Sequence, residues 1–336
     1  MRRVSIGVLS SLLVAANAYG APGDDLLEAA SNGDVAKVNA ALKAGAAVDF
    51  KGSDGTTALM LAAAANNAKL LNLLLAKGAK VDERDKAGVT ALMVAIDRNN
   101  TAIAKTLIAK GADANAVETE GRTPLLIAAA RGNDALVKLL VSKGADPKAK
   151  AKDGSTALLH AVNGENFEIA KLLIAKGADI NAQDANGNCP LIRASQGCAV
   201  DEMEMTGQKS LRPGHSKRCP KEMKALVKLL LDKGANPNVK NSDGFTPLLA
   251  AMAHEQLDIA KMLLAKKCDT GGVIRGKRTA LMIASAMGYT EIVKLMLANG
   301  ADVTPRDFNG TTALQAAREN GHDEVVKLLE QAGAKE

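Results

Sequence analysis

The residues best suited to chemistry lie in one short segment, Cys198 to Cys219, which reads CAVDEMEMTGQKSLRPGHSKRC. The segment gathers thiols, carboxylates and an imidazole, which are suitable ligands for a metal ion. These candidate ligands are Cys198, Asp201, Glu202, Glu204, His215 and Cys219. Their spacing matches no Cys-x-x-Cys or His-x-x-x-His signature. We therefore expect no metal site, and a metal-dependent protein that uses this segment remains an alternative hypothesis.

A disulfide bond can close the same segment. The four cysteines of the chain, Cys189, Cys198, Cys219 and Cys268, permit three pairings. We predict a bond between Cys198 and Cys219, because both bracket one segment and the N-terminal residues indicate an oxidising compartment. Cys189 and Cys268 are then either free and buried or paired with each other.

Histidine, the most frequent general acid or base, is too scarce to suggest a catalytic site. The chain has four histidines. His322 precedes a predicted helix, His254 lies near the end of another, and His160 lies on a predicted helix face. We predict no catalytic residues, no enzymatic activity and no cofactor.

Residues 1–20 have the composition of a secretory signal peptide. Two arginines precede an apolar run over residues 4–16, and small residues permit cleavage after Ala18 or after Gly20. A membrane anchor is the less favoured alternative, because the apolar run is too short to span a bilayer comfortably. We expect a periplasmic or secreted protein with no stable membrane insertion after cleavage.

Composition argues against nucleic acid as a partner. The formal net charge of +6 falls to +4 when residues 1–20 are removed, since they carry two arginines and no acid. This excess is too small to indicate a nucleic-acid surface. The chain also has two Tyr, four Phe and no Trp, and so few rings on which bases stack. Its apolar residues are mainly Ala and Leu, which predicts thin, closely stacked helices.

A threonine recurs along the chain with a period of 33 residues. The repeat threonines are Thr57, Thr90, Thr123, Thr156, Thr246, Thr279 and Thr312. Cys189 takes the place of a threonine 33 residues after Thr156, and 24 extra residues follow it before the next repeat. Counting back from Thr57 by the same period reaches Asp24. The chain therefore contains nine repeats, starting near residues 24, 57, 90, 123, 156, 189, 246, 279 and 312, with an inserted loop at 198–222 in the sixth.

Each repeat has the pattern of two short helices and an extended segment. In the repeat that starts at Thr123, apolar residues at helical spacing end at Gly132, and a second apolar stripe ends at Gly144. A tight turn follows, such as Asp153-Gly154. One helix pair cannot bury its apolar face alone, so neighbouring repeats must stack. The predicted fold is an all-α repeat solenoid over residues 24–336.

The TPL, AA, GAD and VKLLL segments at this period resemble ankyrin repeats from Asp24 to Glu336. The resemblance implies helix-turn-helix units with hairpin loops, and protein recognition rather than catalysis. The family's histidine three residues after the threonine is replaced in every repeat, for example by Met60, so the family's Thr-His hydrogen bond is in doubt. The GAD segment is also lost between Lys266 and Thr279, where we expect an irregular hairpin.

The resemblance also implies a binding surface, made of the hairpin tips and the exposed side of the first helices. Five of the eight residues that lie six positions before a repeat threonine, or before Cys189, are basic. The predicted binding residues are Lys51, Arg84, Lys86, Arg122, Lys150, Lys152, Lys240, Phe245, Arg275, Arg278, Arg306 and Phe308. Their cations predict a protein partner with an acidic surface, and the two phenylalanines predict aromatic anchors. The alternative is that the cations only confer solubility.

The favoured function is an exported, bacterial protein-binding module that protects, positions or inhibits an envelope enzyme or a toxin. A secreted effector that acts on host proteins is an alternative. A eukaryotic secretory origin is also compatible with the sequence, and the Asn-x-Thr sequons at Asn99 and Asn309 would be glycosylated only in that case.

Overall fold

The computed structural model describes residues 21–198 and 219–335. The predicted signal peptide with both cleavage sites, and most of the predicted loop, lie outside the described residues. The chain divides into two compact units between Lys152 and Asp153. We call their described parts the N-terminal unit (residues 21–152) and the C-terminal unit (residues 153–198 and 219–335).

The N-terminal unit contains four helix pairs. Its helices are α1 (Pro22–Ser31), α2 (Val35–Lys43), α3 (Ala58–Ala64), α4 (Ala68–Ala76), α5 (Ala91–Asp97), α6 (Thr101–Ala109), α7 (Pro124–Ala130) and α8 (Asp134–Ser142). The first helices of successive repeats pack together in the order α1, α3, α5 and α7, and the second helices pack in the order α4, α6 and α8.

The C-terminal unit contains five helix pairs and one short hairpin. Its elements are α9 (Ala157–Asn163), α10 (Phe167–Ala175), α11 (Pro190–Ser195), α12 (Cys219–Asp232), α13 (Pro247–Ala253), α14 (Leu257–Ala265), β1 (Val273–Ile274), β2 (Arg278–Thr279), α15 (Ala280–Ala286), α16 (Thr290–Ala298), α17 (Ala313–Glu319) and α18 (Asp323–Gln331). Its first helices and its second helices each pack in chain order. The helix pairs of both units confirm the predicted all-α repeat solenoid.

The repeat threonines begin the first helices. Thr57 accepts a hydrogen bond from the backbone N–H of Met60 at 3.3 Å, and each of the other repeat threonines accepts the equivalent bond. Such N-caps satisfy a backbone donor that the helix leaves unpaired. The bond uses the backbone of the third helical residue, so it survives the replacement of the family's histidine. Gln315 also accepts a bond from the N–H of Thr312, completing a capping box.

Small residues allow the first helices to stack closely. Ala62 and Ala63 on α3 are fully buried, whereas the second helix α4 buries Leu70, Leu71 and Leu74. A helix lined with alanine permits a close approach of its neighbours, and leucines fill the space between the two layers. Buried alanines in first helices and buried leucines in second helices recur in both units. This pattern explains how a chain with few aromatic residues forms a core.

Side chains between the two helices of a repeat link it to its neighbour. Asn100 donates from Nδ2 to the carbonyls of Ala63 (2.8 Å) and Ala64 (3.2 Å), at the end of the preceding first helix. His322 places Nε2 3.0 Å from the carbonyl of Ala286 in the same way. These contacts satisfy carbonyls that a helix end leaves unpaired. His322 therefore has a structural role.

The insertion changes both helices that flank it. Helix α11 has six residues, and Gly197 takes the left-handed conformation (φ +76°) that the repeat register assigns to Cys198. Helix α12 begins at Cys219, so residues 219–222 of the predicted loop belong to a helix instead, which corrects that boundary. The repeat register nevertheless continues, because Asn236 N–H donates to Asn181 Oδ1 at 2.9 Å. The equivalent bond from Asp269 to Asn238 measures 2.8 Å.

The hairpin before α15 differs from all the other described turns. Val273 pairs with Thr279 and Ile274 with Arg278 in a two-stranded antiparallel ladder. The turn between the strands contains Gly276 (φ +86°) and Lys277 (φ +58°), both left-handed. Since GAD is lost here, the sequence predicts an irregular hairpin but not this short ladder. In neither described part of the chain does a helix have the length and apolar character needed to cross a membrane.

Candidate functional site

The candidate surface is formed by the turns between repeats. We call each repeat threonine (Cys189 in the sixth repeat), together with the six residues before it, a finger. In finger 84–90, Asp85 Oδ1 accepts hydrogen bonds from the N–H groups of Ala87 and Val89, both at 2.8 Å. Such local side-chain bonds define a tight turn without help from other repeats. Asp307 shapes finger 306–312 with the same two bonds.

Backbone hydrogen bonds join neighbouring fingers within the N-terminal unit. Lys86 N–H donates to the carbonyl of Asp54, and Thr119 N–H donates to that of Ala87. Lys152 N–H then donates to the carbonyl of Glu120. The fingers of this unit are therefore positioned against one another and form a continuous edge.

Two of the predicted binding cations hold adjacent fingers together. Lys51 Nζ donates to the carbonyl of Arg84 at 2.9 Å and lies 2.7 Å from the carboxylate of Glu83. Arg84 Nη1 donates to the carbonyl of Val117 at 3.2 Å. Hydrogen bonds from Lys51 lower the pKa of Glu83, as does the charge of the neighbouring Lys80. Both predicted cations thus have contacts within the fold.

Arg122 forms an ion pair with a buried acid. Its Nε lies 3.0 Å from Oε1 of Glu118, whose side chain is 2% exposed, while that of Arg122 is 22% exposed. Burial raises the pKa of Glu118. Hydrogen bonds, chiefly from the side chain and backbone of Arg122, and the charge of Arg122 together lower that pKa by a larger amount, so it lies below the ordinary value. The structure therefore places Arg122 in a half-buried ion pair of finger 117–123.

The remaining predicted cations of the N-terminal unit are exposed. Burial raises the pKa of Asp54, but hydrogen bonds, chiefly from Thr56, and the charge of the nearby Lys86 together lower it by more. Lys150 and Lys152 make no ion pair with any described residue. These two lysines are the cations of this unit best placed to contact a partner.

Cations of the C-terminal unit also differ in their contacts. Lys240 Nζ lies 3.9 Å from Asp269, and Arg306 Nη1 donates to the carbonyl of Gly310 in its own finger at 2.9 Å. Arg278 is exposed in β2. The side chain of Arg275 lies outside the described residues.

Phe308 is the most exposed large apolar residue of the described chain. Its side chain is 73% exposed, and Lys277 Nζ lies 5.7 Å from the centroid of its ring. Phe308 N–H donates to the carbonyl of Gly276, which places its finger beside the hairpin. Val273 at the base of that hairpin is 46% exposed. The structure thus places a lysine beside an exposed aromatic ring, on the finger next to the hairpin.

The other predicted aromatic anchor occupies a different environment. Phe245 is half-buried, and its N–H donates to Asn241 Oδ1 at 2.8 Å. Lys277, which contacts the exposed ring, was missed by the sequence prediction. Its position one residue before Arg278 in a turn without GAD was the available signal.

The first helices of the C-terminal unit carry an arginine and a histidine near acids of the fingers. Arg193 Nη2 lies 3.6 Å from Asp184 Oδ2. Burial raises the pKa of Asp153, but hydrogen bonds from Ser155 and the charge of His160 bring it below the ordinary value. Each of these side chains thus lies near an acid of the finger that precedes its helix.

The thiols divide into two kinds. Cys189 and Cys268 are free and buried, as one of the predicted alternatives required. Burial raises the pKa of both, to about 11 for Cys268, so neither is activated as a nucleophile. Cys198 has a partner. The side chain of Cys219 lies outside the described residues, and the bond between Cys198 and Cys219 stays a prediction.

Two observations on the described residues concern metal binding and pockets. Among residues 21–198 and 219–335, no group of three His, Cys, Asp or Glu side chains is placed to hold a metal ion. A shallow hollow of about 410 Å³ lies between the end of α6 and Lys143, and it is lined by Ala112, Asn115 and neighbouring loop residues. Its lining also includes Asp113 and Lys143, but it contains no serine, threonine, cysteine or histidine.

Comparison with protein families agrees with this architecture. A family model of ankyrin repeats, each hit covering about three copies, matches residues 26–118, 77–151, 99–184, 125–203, 218–307 and 271–335. These matches cover well over half of the chain. The chain belongs to the ankyrin repeat family. Ankyrin repeats are protein–protein interaction modules, and proteins built from them are generally non-enzymatic. No curated protein sequence matches the chain.

Proposed function

We propose that this ankyrin repeat chain is an exported protein-binding module whose C-terminal unit recognises an acidic segment of its partner. The observation that supports this is the exposed ring of Phe308 with Lys277 beside it. An aromatic side chain left in water contributes little to folding, whereas burial against a partner removes its apolar surface from solvent. Exposed aromatic rings near cations are frequent anchors of protein interfaces.

The charges around this ring determine the kind of partner. Lys277 lies beside the ring of Phe308, Arg306 belongs to the same finger as that ring, and the adjacent hairpin carries exposed Arg278 and Val273. Finger 306–312 contains one acid, Asp307, whose carboxylate is engaged with its own backbone. An acidic segment with one or two apolar side chains would complement this surface in both respects. The cations would accelerate association, and the ring would slow dissociation.

Export is the second part of the proposal. The arginines and apolar run of residues 1–20 support it, and a disulfide between Cys198 and Cys219 would form in the compartment reached. Within a bacterial envelope, such a module would protect, position or inhibit an enzyme or toxin. A nucleic-acid partner is not proposed, because the cations of both units are interspersed with acids and few rings are exposed.

Site-specific crosslinking in intact cells tests the surface. A photoreactive residue is introduced in place of Phe308 and, as a control, in place of Lys228, which is exposed on α12. We expect a crosslinked protein that depends on position 308 and is absent at position 228. The same product from both positions would contradict recognition by the fingers.

Binding of that crosslinked protein is then measured with matched variants. The double variant Lys277→Glu, Arg278→Glu should weaken association by about tenfold or more at low salt and much less at high salt. Phe308→Ala should mainly accelerate dissociation. Lys228→Glu, which changes an exposed lysine on α12, serves as the control. Equal effects of the control and finger variants would overturn the proposal.

A further inference from the structure

Two fingers of the C-terminal unit contain the same Asn-Gly turn in the same register. Asn186 N–H donates to Asp184 Oδ1 at 2.9 Å, and Gly187 N–H donates to the carbonyl of Asp184 at 2.8 Å. In the other finger, Asn309 N–H and Gly310 N–H make the same two bonds to Asp307, at 2.9 and 3.0 Å. Both asparagines are exposed. The two turns are therefore matched in their internal structure.

The two turns differ in their contacts with the next part of the chain. The carbonyl of Asn186 accepts bonds from both the N–H and Oγ of Ser242 in the next finger, at 2.9 Å each. A Cβ atom added to Gly187 would lie 3.0 Å from Asn241 Cα, whereas one added to Gly310 would meet nothing within 4 Å. Among the described residues, the carbonyl of Asn309 accepts no backbone hydrogen bond. Only the turn at Asn186 is held by a following finger.

Asn-Gly sequences carry a reaction of their own. After local opening, the backbone nitrogen of the glycine attacks Cγ of the asparagine. A bond forms between that nitrogen and Cγ, the bond from Cγ to Nδ2 breaks, and ammonia leaves with the proton lost by the glycine nitrogen. Water then adds across one imide bond, giving aspartate if the bond at Cγ breaks and isoaspartate if the bond at the backbone carbonyl breaks.

We propose that Asn309 is a site of spontaneous deamidation in the folded protein, and that the following finger protects Asn186 from the same reaction. The attack requires the glycine N–H to leave its hydrogen bond to the aspartate carbonyl. Opening of that kind costs least where few contacts oppose it. Finger 306–312 is held on one side only among the described residues, whereas finger 183–189 must also release Ser242.

Other Asn-Gly pairs in the chain lie at helix ends. They end α1, α9, α16 and α17. Asn299 and Asn320 also donate from their side-chain amides to helix carbonyls, at 3.0 and 2.8 Å. Reaction at these sites requires a packed helix end to unwind. Asn309 is therefore the most reactive of these asparagines.

The product changes the finger that carries Phe308. Deamidation replaces a neutral amide with a carboxylate beside Arg306 and Phe308, and isoaspartate adds a backbone atom to the turn. The reaction does not depend on the proposed partner. If that partner exists, the new negative charge would weaken its acidic segment's binding.

Peptide mapping by mass spectrometry tests the proposal. The purified, folded chain is incubated in warm, mildly alkaline buffer, and aspartate and isoaspartate are quantified at Asn309 and Asn186 over time. We expect Asn309 to deamidate about tenfold faster than Asn186, or more. The free energy of local opening ranges from nearly zero to that of global unfolding, so one added contact can change the rate this much. The Asn309→Gln variant, whose longer side chain forms the ring poorly, confirms the peptide assignment.

Incubation of the same chain in denaturant provides the control. In the unfolded chain, both sites are Asn-Gly sequences without finger contacts, so both should deamidate at similar rates. If Asn309 deamidates faster than Asn186 in the folded chain but at the same rate in denaturant, protection by the next finger is supported. Equal rates in the folded chain, or conversion of neither site there while both convert in denaturant, would overturn the proposal.

Discussion

In the N-terminal unit, three of the predicted binding cations make contacts within the fold, whereas in the C-terminal hairpin a lysine lies beside an aromatic ring that is exposed to water. In the first, Lys51 and Arg84 donate to the carbonyls of the next finger, and Arg122 is paired with buried Glu118. In the second, Lys277 lies over the exposed ring of Phe308. Lys277 lies in the hairpin, whose turn differs from the turns of the N-terminal fingers.

This difference shows that the predicted binding cations do not all make the same kind of contact. A long cation six residues before the threonine can reach the carbonyl of the neighbouring finger and stabilise the edge. We expect such a cation to contribute to binding only where that carbonyl is out of reach or already accepts another bond. Stability should therefore respond to the N-terminal cations, and binding to those of the C-terminal hairpin.

The largest expected effect on stability comes from Arg122→Met. This change leaves the buried carboxylate of Glu118 without its charged partner and should cost about 3 kcal/mol of local unfolding free energy. The matched variant Arg278→Met, in the exposed hairpin, should cost less than about 0.5 kcal/mol. Hydrogen exchange of peptides spanning each finger reports both values. Similar costs at the two positions would erase the contrast between the units.

A second comparison uses two glycines with the same left-handed conformation. A Cβ at Gly121 would lie 3.0 Å from the backbone nitrogen of Lys152, and one at Gly310 would meet nothing within 4 Å. Gly310→Ala should cost about 1 kcal/mol for conformation alone, and Gly121→Ala about 2 kcal/mol because it also pushes the next finger away. Chemical denaturation of the variants measures the difference. If both cost the same, contact between fingers does not stabilise the N-terminal edge.

Acid should weaken the N-terminal fingers before the hairpin. The pKa of Glu118 is lower in the folded protein than in the unfolded chain, so its stabilisation is present above the ordinary carboxyl pKa. That stabilisation is lost as the pH falls through the ordinary value towards the folded one. Hairpin 273–279 contains no acid. Glu118→Gln should cost about 1.5 kcal/mol at neutral pH and remove this part of the pH dependence.

Exchange rates measured from neutral to acidic pH check that sign. Peptides of finger 117–123 should exchange faster as the pH falls, after correction for intrinsic rates, and those of the hairpin should change less. A finger that became more stable in acid would contradict the assignment of Glu118 as an ionised, paired group.

The smallest effect on stability is expected for Phe308→Ala. An exposed cation–π contact contributes about 0.5 kcal/mol, and little else of the ring is buried. Thermal unfolding of the variant should therefore resemble that of the parent chain. A loss of more than about 2 kcal/mol would mean that the ring packs within the fold, since only buried groups carry such costs.

Much of the architecture could be predicted because it depends on local signals. The repeat threonines mark helix starts through a bond to the backbone three residues on, and Gly132 and Gly144 mark helix ends. These interactions involve residues close in sequence, so the period alone locates them. The doubt about the family's histidine did not matter for the cap itself, which uses a backbone donor.

The contacts of individual side chains were harder to predict. The ion pair of Arg122 with Glu118, the bond from Arg84 to Val117 and the contact of Lys277 with Phe308 depend on rotamers and on the spacing of adjacent fingers. The one-residue shortening of α11 likewise depends on how the chain leaves the repeat at Gly197. Sequence reasoning assigned these residues to the turns between repeats but could not separate those that contact a neighbouring finger from those that are exposed, and their role in binding stays a prediction.

The register that continues from Asn181 to Asn236 has a consequence for how this protein can change over evolutionary time. A stack held by nearest-neighbour contacts has no distant pairing for an insertion to break. The sequence inserted at the turn between α11 and α12 can therefore change without disturbing contacts between repeats. Selection can act on it separately from the fingers. Lineages of this protein would diverge fastest at that one turn, while the helices on either side keep their partners.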